Sequence, residues 1–97
     1  MQSSNEDECI EVYISGKVQG VFFRQFTKDT ARSIGVKGYV QNLPVGRVKT
    51  VAKGDHDSIQ AFLSKLKEGP SMASVTNIEY NHIDDGCDEY IDFKIKY

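Results

Sequence analysis

CIEVYISGKVQGVFFRQFTKDTARSIG, residues 9–35, changes its period halfway along. Ile10, Val12 and Ile14 alternate with Glu11 and Tyr13, the two-residue repeat of a strand with one buried face. From Phe23 the repeat lengthens, and Phe23, Thr27, Thr30, Ala31 and Ile34 share one face of a helix. Between the two patterns, Gly16 and Gly20 break the strand and let the backbone curl. Gly35 then ends the helix as a C-terminal cap. The chain therefore opens with a strand, a glycine loop and a helix.

Beyond this unit, Val36 to Asn42 and Arg47 to Lys53 read as two strands of a hairpin, joined by the turn Asn42-Leu43-Pro44-Val45-Gly46. Ile59, Phe62, Leu63 and Leu66 fall at i, i+3, i+4 and i+7 of a second helix. Asp55 or Asp57 caps that helix, and Gly69-Pro70 ends it. Ala73 to Asn81 is a strand whose alternation slips, since Ala73 and Val75 take one parity and Ile78 and Tyr80 the other. A bulge near Thr76 or Asn77 restores the register. After a turn at Asp84-Asp85-Gly86, Ile91, Phe93, Ile95 and Tyr97 alternate as a last strand. The order is βαββαβ with an added C-terminal strand. It predicts an α+β, ferredoxin-like sandwich, with an antiparallel sheet carrying both helices on one face. Residues 1–8 read as a disordered polar tail and 9–97 as one domain.

Composition narrows the classes of function. The chain has 97 residues, 12 Lys and Arg against 14 Asp and Glu, and a formal charge of -2. That balance fits neither a nucleic-acid coat nor an anionic membrane surface, and no apolar run approaches a bilayer span. The expected protein is a cytoplasmic monomer without nucleic-acid or membrane partners. Cys9 and Cys87 stand far apart and read as reduced thiols. His56 and His82 have no Cys or carboxylate at ligand spacing, so no metal site is expected.

Chemistry gathers in residues 16–24, between the first strand and the first helix. Glycines there allow successive N–H groups to point into one concavity, and the helix start adds its free N–H groups and positive dipole end. Arg24 sits at that helix start, where a cation is locally unfavourable unless it has an anionic client. Its planar fork suits two phosphate oxygens, although a surface carboxylate would serve it equally well. Gln19 points to either the loop or the surface, while Val21, Phe22 and Phe23 read as packing residues. Asn42 closes the second strand. Its amide either shapes the turn or steers a water and an oxyanion.

The run Gly16-x-Val18-Gln19-Gly20-Val21-x-Phe23-Arg24, with Thr27 three residues on, resembles the signature of the acylphosphatase family. Gly35-x-x-Gly38-Tyr39-Val40-x-Asn42 matches that family's second block, and Gly46-x-Val48, Gly54, Phe62, Leu66, Gly69-Pro70, Ala73 and Val75 continue the likeness. The ending Phe93-x-Ile95-x-Tyr97 looks like the short animal-type members. The resemblance implies a metal-free, cofactor-free hydrolase of acyl phosphates. In it the loop of Gly16, Lys17, Val18, Gln19, Gly20, Val21, Phe22 and Phe23 cradles phosphate, Arg24 grips it and Asn42 positions the attacking water. Thr27 supports the helix or the loop, and a C-terminal carboxylate at Tyr97 helps orient Arg24. Three positions depart from the family pattern: Val45 before Gly46, Gln41 before Asn42, and Lys17 where arginine is common.

These residues suit that reaction. A carboxylate leaves without a proton donor, whereas an alkoxide needs one, and the site offers no evident general acid. Orthophosphate, the product, is expected to compete with substrate. The alternative reading is a non-catalytic phosphate- or anion-binding module on the same scaffold.

Overall fold

The computed structural model describes residues 7–20, 22–83, 87 and 89–97. The turn expected at Asp84-Asp85-Gly86 and most of the expected tail lie outside them. The described elements are β1 (Glu8–Lys17), α1 (Phe23–Ile34), β2 (Lys37–Asn42), β3 (Val48–Gly54), α2 (His56–Glu68), β4 (Ser74–His82) and β5 (Phe93–Lys96). They form a five-stranded sheet in the order β4-β1-β3-β2-β5. The expected ferredoxin-like α+β fold with an added C-terminal strand is the fold observed. The sheet is mixed, however, because β5 joins β2 in parallel while the other pairs are antiparallel.

Alternation in β1 puts Ile10, Val12 and Ile14 under the helices, where all three are fully buried. Phe23, Thr27 and Ala31 of α1, and Ile59, Phe62, Leu63 and Leu66 of α2, close the core from above. Phe93 of β5 fills its edge, with its ring 5.9 Å from that of Phe62. Asp55, not Asp57, caps α2 and accepts from the Ser58 N–H at 2.8 Å. The register slip falls at Thr76: Ser15 pairs with Asn77 and Gly16 with Val75, so Thr76 is the extra residue. Gly16 is needed at this bulge. Its φ is 126°, and a Cβ there would run into the Ser74 carbonyl.

Two expectations are corrected. Ile91 is 85 % exposed and lies outside β5. Glu8 belongs to β1, paired with Gly54, rather than to a tail. His56 and His82, distant in sequence, meet at Glu8, whose carboxylate lies 2.8 Å from His56 Nδ1 and 3.5 Å from His82 Nε2. The hydrogen bond between His56 and Glu8 lowers the carboxyl pKa and raises that of the imidazole.

The outer face of the sheet is covered in part by the chain that follows β4. Tyr39, Val51 and Cys87 are buried there, with Cys9, Ile83 and Tyr90 packed against them. Cys9 and Cys87 form a disulfide across Cα atoms 6.2 Å apart, which corrects the reading of two free thiols. Spacing concealed the pair because Cys9 takes the outward parity of β1, and the chain after β4 folds back over that parity. The bridge closes a separation of 78 residues, so chain-entropy loss in the unfolded state stabilises the fold by about 4 kcal/mol. Cys87→Ser is therefore expected to lower the denaturant midpoint markedly, to the value the parent shows in excess dithiothreitol. Equal midpoints for oxidised parent and variant would contradict the bridge.

Candidate active site

β1 delivers the chain to one end of the sheet, and the loop that follows turns back into α1. Val18 is buried and anchors the loop in the core. Gly20 and Phe22 both take left-handed conformations, at φ 72° and 63°, and bend the chain into the helix start. α1 begins with no side-chain cap and no acidic residue in its first turn. Its first N–H groups thus have no intrahelical acceptor and no side-chain cap, and the first turn borders a cleft of about 350 Å³. Gln19, Gly20, Phe22, Phe23, Arg24 and Gln25 line that cleft on one side, and Asn42, Ile95 and Tyr97 line it too.

Gln19 joins the two halves of the site. Its side-chain amide donates to the Leu43 carbonyl at 2.9 Å and to the Arg47 carbonyl at 2.8 Å. One side chain of the first loop thereby clamps the turn after β2 and holds Asn42 beside the helix start. The turn itself is tight: the Leu43 N–H donates to the Arg47 carbonyl at 2.7 Å. Val45 is forced to φ 59° at its tip.

Arg24 is half-buried in the first turn of α1, and its guanidinium lies 4.9 Å from the centre of the Tyr97 ring. That is a cation–ring contact, which leaves the edge of the fork free to bind oxygens. Among the described residues no carboxylate pairs with Arg24. Asn42 lines the same cleft, and its Oδ1 is shielded from solvent yet accepts no hydrogen bond from any described residue. A buried acceptor in that condition is uncommon in a folded protein. Thr27 is fully buried, and its hydroxyl donates to the Phe23 carbonyl at 2.8 Å within the helix.

The structure brings Val18, Gln19, Gly20, Phe22, Phe23, Arg24, Asn42 and Tyr97 around one cleft. Gly16 and Lys17 do not line it, because they still belong to β1. Val21 lies outside the described residues. Phe23 packs in the core as expected, but Phe22 is 80 % exposed, which corrects its reading as a packing residue. The helix starts one residue after Phe22, so Phe23 takes the inward face and Phe22 the outward one. Gln25 and Ile95 were not expected at the site. The first-turn position of Gln25 was a usable signal, whereas Ile95 depends on the parallel β2–β5 pairing.

Among the described residues no cluster of three or more His, Cys, Asp or Glu is arranged to hold a metal ion, and no helix is long and apolar enough to cross a membrane.

Comparison with known proteins is consistent along the chain. A family model described as Acylphosphatase matches residues 10–95. An acylphosphatase of Methanococcoides burtonii is 46 % identical over 96 residues, covering 99 % of each chain. The solved structure of an acylphosphatase from Coxiella burnetii superposes with a TM-score of 0.88 at 40 % identity, covering 99 % of both chains. That of acylphosphatase from Bacillus subtilis gives 0.87 at 30 % identity, covering 93 % of this chain and 99 % of the other.

Proposed function

Because this chain belongs to the acylphosphatase family, and is thus a hydrolase of acyl phosphates, we propose how its own residues divide the work. Arg24 and the N–H groups of the loop and α1 hold the phosphoryl oxygens, and Asn42 orients the attacking water. The unpaired Oδ1 of Asn42, in the same cleft as Arg24, carries this reading. A shielded amide oxygen without a protein donor is suited to accept a hydrogen bond from water, and it lacks the basicity to remove a proton.

In the reaction the water oxygen attacks phosphorus, and the bond from phosphorus to the carboxyl oxygen breaks. The electron pair leaves on the carboxylate, and the water proton ends on the product phosphate. The carboxylate is stable as it departs, so no general acid is required. Catalysis then rests on placement of water in line with the leaving group and on charge stabilisation by Arg24 and the amides. Tyr97 acts on Arg24 through its ring, which holds the fork toward the phosphate; any contribution of a terminal carboxylate would add to that contact. Thr27 supports the helix that carries Arg24.

The proposal has a cytoplasmic monomer acting on a small-molecule acyl phosphate, without cofactor. The near-even charge balance argues against nucleic-acid and anionic-membrane partners. The Cys9–Cys87 bridge weighs against that compartment, where thiols are kept reduced.

The test is hydrolysis of benzoyl phosphate by purified protein in EDTA, with orthophosphate added across the millimolar range. Turnover with competitive inhibition is expected. A folded protein that binds phosphate without turnover would instead be the anion-binding module, and turnover indifferent to phosphate would remove the cradle.

A further inference from the structure

The cleft at Arg24, about 350 Å³, falls in the lower range of sites that take small organic ligands, so it has room for more than a phosphate. Its polar groups gather at Gln19, Arg24, Gln25 and Asn42, and the remaining wall includes Phe22, Ile95 and Tyr97. Two of these are large rings left in water: Phe22 is 80 % exposed and Tyr97 94 %. Phe22 also sits at φ 63°, a conformation that a bulky residue adopts only where its surroundings impose it. The Phe22 carbonyl accepts the Phe26 N–H at 2.9 Å, the bond that opens α1. A strained backbone that holds a ring out of the core, at the rim of a cleft, points to a role in the cleft.

Charge narrows the occupant. Arg24 is the one charged side chain lining the cleft among the described residues, and the proposed function commits it to phosphate. A second charge on the acyl group would lose hydration there and find no partner. An apolar acyl group would cover the exposed rings and gain from doing so. The contact of Tyr97 with Arg24, at 4.9 Å, sets the apolar wall directly beside the phosphate end.

We infer that Phe22, with Ile95 and Tyr97, forms the subsite for the acyl group and selects acyl phosphates with flat, uncharged, apolar acyl groups over small polar or anionic ones. The inference rests on the proposed function, which places phosphate at Arg24.

The experiment compares kcat/KM for benzoyl, acetyl and succinyl phosphate in the parent, Phe22→Ala and Phe22→Tyr. The parent should favour benzoyl phosphate over both others. In Phe22→Ala the benzoyl-to-acetyl ratio should fall about tenfold, through KM, as expected for lost apolar contact in a pocket. Phe22→Tyr should keep the ratio. Inhibition by orthophosphate should shift far less than KM for benzoyl phosphate, since orthophosphate does not reach the rings. An unchanged ratio in Phe22→Ala, or a parent that prefers the anionic succinyl group, overturns the subsite. A folded parent that hydrolyses none of the three overturns the proposed function itself, a distinct result.

Discussion

Arg24→Gln is expected to lower kcat/KM for benzoyl phosphate by about 10³-fold or more, the scale of loss when phosphoryl transfer is deprived of its arginine. Both binding and rate should suffer. In the proposed division of work the guanidinium meets the phosphoryl oxygens in the ground state and follows their charge into the transition state. The fold should survive, because Arg24 is only half-buried and makes no ion pair with a described residue. Arg24→Lys separates charge from shape. Lysine keeps the charge but offers no planar fork and a poorer contact with the Tyr97 ring, so it should recover only part of the loss. Full recovery by lysine would reduce the role of Arg24 to a point charge. A glutamine variant within tenfold of the parent would remove it from the site.

Asn42→Ala should lower kcat at least about 10²-fold, by analogy with the loss of a single oriented polar group in other sites. If Asn42 handles water and Arg24 phosphate, as proposed, the loss should appear in kcat more than in the inhibition constant of orthophosphate. Stability gives an independent check. Truncation removes a shielded acceptor that bonds to no described residue, so thermal unfolding should stay at or above the parent value. Near-parental kcat in a folded variant would return Asn42 to a turn-shaping role.

Much of this architecture is legible in residues 9–35 and in the i, i+3, i+4, i+7 spacing of α2, because each uses a period that a single buried face imposes. The bulge at Thr76 is equally legible, since apolar parity changes there and backbone pairing must follow it. What escaped reading are contacts between segments remote in sequence. Nothing in the composition of β5 says that it pairs in parallel with β2, yet that pairing brings Ile95 to the cleft. Nothing near Gln19 announces that its amide spans to Leu43 and Arg47. The Cys9–Cys87 bridge was hidden for the same reason. Phe22 was misread by one position at a helix boundary, where a single residue decides between core and solvent. Val45 was legible as a departure from the family pattern. Its φ of 59° shows what the departure means, a β-branched residue in a conformation better suited to Asn or Gly.

The sheet order β4-β1-β3-β2-β5 also bears on how the molecule comes into being. Only the β2–β3 pair is a local hairpin; β1 must find β3 and β4, and β2 must wait for β5. Such non-local pairings place a chain among the slower two-state folders, toward milliseconds to seconds, because loop closure precedes the contacts that reward it. The cleft draws walls from the loop after β1, the first turn of α1, the end of β2 and the end of β5. During synthesis from the ribosome, residues 16–24 emerge well before the wall at Ile95 and Tyr97, so a nascent chain carries no complete cleft until β5 has docked.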